Sequence, residues 1–252
     1  MTTHPRKTLL ITGGSRGIGA ATARAAARAN WNVMISYVSN HSAAAAVVAD
    51  CRAEGAEAFA LRADAGRDAE IDALFDEVSR RFGHLDGLVN NAGVTGRIGR
   101  LENATPQHIR EVIDVNVTGA LLVARAAIPL MSKKHGARGG AIVNVSSAGA
   151  TLGLGNTFVW YAASKGAIDS MTIGLAHELA ADGVRVNAIA PGLIDTEIHA
   201  SGGDPERANK LAASVPLGRV GQPEEMADVI LYLLSDQASY VTGHVLRAAG
   251  GR

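Results

Sequence analysis

The chain has 252 residues, 47% hydrophobic and 19% charged, so it can bury a sizeable core and lacks the make-up of a disordered segment. Lys plus Arg and Asp plus Glu each number 24, and this zero net charge argues against a broad electrostatic grip on nucleic acid or anionic lipid. A single cysteine, Cys51, excludes an intrachain disulfide and a cysteine-rich metal site, and fits a reducing, cytoplasmic setting.

Short β-type runs alternate with longer Ala-rich helical patterns. Met1 to Lys7 lead into a first strand, Thr8 to Thr12, which glycines stop at once; the apolar run is too short for the core of a signal peptide. A helix is expected from about Gly17 to Asn30, a strand over Asn32 to Tyr37, and a helix over about Ser42 to Glu54. A third strand spans Ala56 to Leu61, a helix lies near Asp68 to Phe82, and a fourth strand, Leu85 to Val89, ends in Asn90-Asn91-Ala92-Gly93. Thr105 and Pro106 read as the N-cap and first position of a helix running to about Met131. Arg125 interrupts the apolar stretch Ala120 to Met131, so no membrane span is expected. Ala141 to Val145 is a fifth strand and Val159 to Ala181 a long helix. Val184 to Ile189 is a sixth strand, Pro223 to Leu234 a helix, and His244 to Arg247 a last strand.

The strands are continuous apolar runs, as in a parallel sheet covered on both faces. Repeated β–α alternation predicts an α/β fold with one doubly wound parallel sheet and helices on both faces, in a single domain over residues 1–252. Leu193 to Gln222 follows a strand end, is rich in Gly and polar residues, and reads as a mobile loop able to close over a ligand.

The segment Thr12-Gly13-Gly14-Ser15-Arg16-Gly17-Ile18-Gly19 sits between a strand and a helix. Glycines there permit a tight turn and bring backbone N–H groups, with the helix N-terminus, close to a diphosphate. The spacing is neither G-x-G-x-x-G nor a P-loop, and a tight turn without ligand has the same pattern. An NAD site usually places an acid at the end of the second strand; here that region reads Ser36-Tyr37-Val38-Ser39-Asn40-His41. Arg16 stands instead within the glycine loop, where its guanidinium can face a 2′-phosphate. NADP(H) is therefore favoured, with NAD(H) possible if Arg16 is only a solvated surface charge.

Tyr161 and Lys165 are spaced i, i+4, so their side chains share one helix face. An ammonium beside a phenol stabilises the phenolate, which suits the tyrosine to exchange a proton with a carbonyl or alcohol oxygen. Ser146 and Ser147 end the fifth strand, where an open α/β sheet forms its ligand crevice. Asn116 is a polar amide in an apolar helical stretch; it bonds to backbone or holds a water. Taken singly, Tyr161 reads equally as a packed ring, Lys165 as a surface charge and Asn116 as a structural amide. Their order along the chain is what makes chance unlikely.

With Thr12-Gly13-x-x-x-Gly17-x-Gly19, Asn90-Asn91-Ala92-Gly93, Tyr161-x-x-x-Lys165 and Pro191-Gly192 in place, the sequence resembles the short-chain dehydrogenase/reductase family from Lys7 to Gly251. Within it the chain is most similar to bacterial glucose dehydrogenases and 3-oxoacyl-carrier-protein reductases. The resemblance implies a Rossmann-type fold, a homotetramer, and hydride transfer between NADP(H) and a small-molecule carbonyl or secondary alcohol, without a metal. It implies Tyr161 as acid/base, Lys165 as the group that lowers its pKa and holds the nicotinamide ribose, Ser147 as the substrate-oxygen contact, and Asn116 as holder of a relay water. Gly13, Ser15, Arg16, Gly17, Ile18, Gly19 and Tyr37 would line the cofactor. Asp64 and Ala65 would meet the adenine; Asn91, Ala92 and Gly93 the adenosine ribose; Pro191, Gly192, Ile194 and Thr196 the nicotinamide end.

The gap from Ser147 to Tyr161 is one residue longer than the family usually has, in Gly153 to Phe158. The tail Leu246-Arg247-Ala248-Ala249-Gly250-Gly251 lacks the acid often found before the glycines. The histidines are scattered without metal-binding spacing, and His199 alone is a candidate pocket contact. The rival readings are an NAD(H)-using sugar or alcohol dehydrogenase of the same family and a catalytically silent dinucleotide sensor.

Overall fold

Apolar side chains on both faces of each strand decide the architecture. In the computed structural model, which describes residues 6–204 and 206–252 and only the backbone of residues 199 and 201, the chain runs β1 (Lys7–Ile11), α1 (Gly17–Arg28), β2 (Trp31–Tyr37), α2 (His41–Ala53), β3 (Ala58–Arg62), α3 (Asp68–Phe82) and β4 (Gly87–Asn90). It continues through α4 (Pro106–Ile113), α5 (Ala120–Met131), β5 (Gly140–Val145), α6 (Gly149–Leu152), α7 (Val159–Leu179) and β6 (Val184–Pro191). The last elements are α8 (Ile198–Ser201), α9 (Arg207–Leu211), α10 (Pro223–Leu234) and β7 (Val245–Ala248). The readings that rested on residues 1–5 and on the His199 side chain lie outside the described residues.

The seven strands form one all-parallel sheet in the order β3-β2-β1-β4-β5-β6-β7. Leu9 and Ile11 of β1, Val33 and Ile35 of β2 and Val143 of β5 point into one core, closed by α1, α2 and α10. Leu10, Met34 and Ile142, one residue out of step, point into the other, closed by α3, α5 and α7. This period of two with both faces apolar is why the strands read as unbroken hydrophobic runs.

Where the sheet order reverses, between β1 and β4, helices leave on opposite faces and open a crevice at the strand C-termini. The expected elements are all present, with shifted ends. β3 starts at Ala58 rather than Ala56, because the preceding Glu57 N–H donates to the Asn32 side chain at 3.0 Å instead of entering a strand ladder. The segment 193–222, expected as loop, contains the short helices α8 and α9.

The helix expected from Pro106 to Met131 is continuous but widens into a π-helical turn over Asp114–Gly119. Thr105 caps it as expected, its hydroxyl accepting from the His108 N–H at 3.2 Å. Despite Arg125, Pro106–Met131 has the length and composition of a membrane span, as core helices can; Val123, Ala127 and Met131 on its inner face are packed in the core against α3. Gly119 is where this helix meets the loop after β3. A Cβ there would lie 2.2 Å from the Ala65 carbonyl oxygen. Gly119→Ala is expected to destabilise the protein by about 1–3 kcal/mol through overpacking. Urea unfolding measures this, and an unchanged midpoint would mean the π turn can move off the loop freely.

Candidate active site

The glycine loop folds as it does because its neighbours hold it. Gly13 and Gly17 adopt left-handed φ angles of 65° and 51°, which favour glycine. A Cβ on Gly19 would stand 2.5 Å from the Gly13 oxygen, so the start of α1 closes tightly under the turn. The Thr12 hydroxyl accepts from the N–H groups of Asn91 and Ala92, each at 3.0 Å. The Asn91 amide donates to the carbonyls of Thr12 at 2.9 Å and Gly13 at 3.0 Å. The result is a narrow groove against bare backbone at a helix N-terminus, a shape and polarity suited to a dinucleotide diphosphate.

That groove is one end of a cleft of about 510 Å³. Gly13, Ser15, Arg16, Gly17, Ile18, Tyr37, Asp64, Ala65, Asn91, Ala92, Gly93, Pro191, Gly192, Ile194 and Thr196 all line it, together with Ser147, Tyr161 and Lys165. Two of the residues singled out in the sequence do not. Gly19 lies behind the loop it tightens, and Asn116 is 1% exposed beneath the cleft floor.

At the adenosine end the Tyr37 hydroxyl hydrogen-bonds His41 Nδ1 at 2.8 Å, and Asn40 is held as the cap of α2. Asp64 accepts from the Gly66 N–H at 2.9 Å. Arg16 is exposed at the rim, with no side-chain cap on α1. Val38 and Ser39 also line the cleft; no sequence pattern marks them beyond their place at the end of β2.

At the other end, the two serines after β5 face opposite ways. The Ser146 hydroxyl is 2% exposed and lies against α7, with the Lys165 carbonyl at 3.2 Å and the Asp169 carboxylate at 2.5 Å. The Ser147 hydroxyl accepts from the Gly149 N–H at 3.0 Å. Burial raises the Tyr161 pKa above its usual value, and the nearby Ser147 hydroxyl opposes that rise. One turn along α7, Lys165 is 4% exposed, donates to the Val145 carbonyl at 2.7 Å and lies 5.7 Å from the centre of the Tyr161 ring.

Asn116 uses its amide on both sides: Oδ1 accepts from the Val94 N–H at 2.8 Å, and Nδ2 donates to the Val94 carbonyl at 2.8 Å and the Ser164 hydroxyl at 3.0 Å. Both N–H donors are engaged, and one acceptor lone pair remains. The extra residue between Ser147 and Tyr161 is absorbed by a tight bend in which Gly153, Leu154 and Asn156 have φ of 73°, 47° and 62°. This bend turns Leu152, Leu154 and Phe158 into the cleft wall.

Residues 13–252 match the family model described as enoyl-(acyl carrier protein) reductase. The chain is 46% identical over 243 residues to the uncharacterized oxidoreductase YgfF of Escherichia coli K12, covering 96% of this chain and 98% of that protein. The chain belongs to the short-chain dehydrogenase/reductase family. Among further members of the family, the 3-oxoacyl-(acyl-carrier-protein) reductase FabG of Staphylococcus aureus is 37% identical over 245 residues, covering 97% of each chain. A 3-ketoacyl-(acyl-carrier-protein) reductase structure from Brucella melitensis, complexed with NADH, superposes with a TM-score of 0.89 at 33% identity over 98% of both chains. A short-chain dehydrogenase from Burkholderia cenocepacia in complex with NADP gives 0.90 at 33% identity over 97% of both. The protein is thus an NAD(P)-dependent short-chain oxidoreductase acting on a carbonyl or alcohol.

Burial holds the Lys165 ammonium down at about 8, against an ordinary 10.5, with the Asp169 charge opposing the shift. Between those values the unfolded chain binds more protons than the folded one. The contribution of this group to stability therefore rises with pH across that window, by at most about 1.4 kcal/mol per pH unit. Lys165→Met is expected to flatten this rise when unfolding is followed between about pH 8 and pH 10. A slope unchanged by the substitution would contradict a buried, depressed ammonium.

Proposed function

We propose that the protein is an NADP(H)-preferring reductase or dehydrogenase in which Tyr161 exchanges the proton with the substrate oxygen. The observation that carries this reading is the line Ser147–Tyr161–Lys165 at the inner end of a cleft whose outer end is the glycine loop. When bound, the nicotinamide supplies or accepts the hydride. Ser147 and Tyr161 hold the carbonyl or alcohol oxygen between two hydroxyls, which orients and polarises it. Lys165 places a positive charge beside the Tyr161 ring and favours its ionised form. From beneath the cleft Asn116 fixes Val94, which lines it, and offers its remaining lone pair to a relay water.

The cofactor preference rests on Arg16 at the rim and on the lack of an acid among Val38, Ser39 and Asn40. The reading takes residues 1–252 as one domain, with 193–222 as the segment that closes over the ligand. Its support is that all seven strands join one sheet and that Thr196 reaches the glycine loop, 3.2 Å from where a Gly17 Cβ would stand. A cytoplasmic homotetramer completes it, on the family resemblance.

Tyr161→Phe is expected to bind NADPH as the parent does and to lose turnover by about 10²–10⁴-fold. Unaltered turnover would remove Tyr161 from the chemistry, and a parent protein that binds cofactor yet reduces no carbonyl would favour a silent sensor. Arg16→Ala is expected to weaken NADPH roughly tenfold or more while leaving NADH nearly unchanged, read by fluorescence titration at matched ionic strength. Equal losses for the two would instead favour an NAD(H)-using dehydrogenase.

A further inference from the structure

The substrate end of the cleft carries two guanidinium groups that the chemistry above does not use. Phe158, 4% exposed, stands just before α7 with its ring 6.5 Å from that of Tyr161. The Arg207 guanidinium carbon lies 5.2 Å from the centre of the same Phe158 ring. Phe158 thus stands next to both the Tyr161 ring and the Arg207 guanidinium. Arg252 lines the same cleft and is half-buried. Its position is set by the C-terminal tail. The Gly192 N–H donates to the Ala248 carbonyl at 3.0 Å, and the Leu217 N–H to the Gly250 carbonyl at 3.1 Å. The tail is thus held against both the end of β6 and the segment that carries Arg207.

Neither charge is met by a carboxylate at contact distance, and Asp204 acts on Arg207 only at longer range. Among the described residues neither Arg207 nor Arg252 makes an ion pair within 4.0 Å. Asp204, the nearby acid that acts on Arg207, is bound by the Lys210 ammonium at 2.7 Å. Glu197 also lines the cleft, but its carboxylate lies on the glycine-loop side, 3.8 Å from where a Gly17 Cβ would stand. Burial and the like charge of Arg252 both pull the Arg207 pKa below its usual range. A half-buried guanidinium with no carboxylate has lost water without regaining hydrogen bonds, and an oxyanion on a ligand restores them in a bidentate pair. Phe158 lies between Arg207 and the Tyr161 ring, and Leu152, Leu154 and Ile198 add apolar surface to the same cleft.

We propose that the substrate is an anionic carbonyl or alcohol compound, with a carboxylate or phosphate group seated on Arg207 and Arg252 and an apolar stretch between that group and the reacting carbon. The orientation rests on the reading of Tyr161 above; the anion site itself does not.

The test uses protein loaded with NADP⁺, so that the glycine loop is already filled. Phenylacetate, phenyl phosphate and the neutral methyl phenylacetate are titrated by calorimetry. At least one anion is expected to bind about tenfold or more tighter than the ester, and which anion does so identifies a carboxylate or a phosphate substrate. Arg207→Gln and Arg252→Gln should each reduce that ratio, and Arg207→Lys should retain part of it. Equal binding of anions and ester, or a preference that survives both glutamine substitutions, overturns the proposal. The kcat/KM ratio of 4-acetylbenzoate to its methyl ester separates this from the proposed activity. Anion-selective binding without turnover would leave the site standing and sink the reductase reading. Equal reduction of acid and ester would do the reverse.

Discussion

The hydrogen-bonded staple between Thr12 and Asn91 is the constraint on which the rest of the site depends. The ladder between β1 and β4 ends with the Thr12 N–H on the Val89 carbonyl at 3.0 Å, and the backbone groups of Asn91 and Ala92 beyond it need other partners. The Thr12 hydroxyl takes two N–H groups from the β4 end, and the Asn91 amide returns two bonds to the β1 end. This satisfies polar groups that would otherwise be buried unpaired. It also holds the glycine loop in its left-handed bends and so shapes the groove at the start of α1.

A second constraint is electrostatic. Lys165 is buried on α7, and its ammonium is retained by one short bond to the Val145 carbonyl and by the nearby Asp169 charge. Asp169 is itself held by Ser146, and burial raises its pKa. The helix is thereby tied to the end of β5 through groups on one face, one turn apart. The same geometry turns Ser147 outward to Tyr161 while Ser146 turns inward. Two adjacent serines at a strand end thus face different neighbours, because successive side chains on an extended backbone point opposite ways.

Segments outside the sheet complete the cleft wall. Here those are the bend Gly153–Phe158, the segment around α8 and α9, and the C-terminal tail. Leu154 and Asn156 keep positive φ angles that such residues rarely adopt, and Leu154 lines the cleft as a result. The apolar wall and the arginine pair come from three separate stretches, 152–158, 198–207 and residue 252, joined only by the fold.

The sequence by itself determined the sheet and the inner site. Unbroken apolar runs declare a two-sided parallel sheet, glycines declare a turn few other residues can make, and the i, i+4 spacing of Tyr161 and Lys165 puts them on one helix face. These are local rules, written within a few residues. Only the tertiary structure decided that Ser146 turns inward onto Asp169, that Gly19 and Asn116 support the cleft from behind, that the helix at Asn116 widens into a π turn, and that Arg207 and Arg252 share one cavity. Each of these depends on contacts between residues far apart in the chain, where burial and hydrogen-bond satisfaction in three dimensions override any periodicity readable along it.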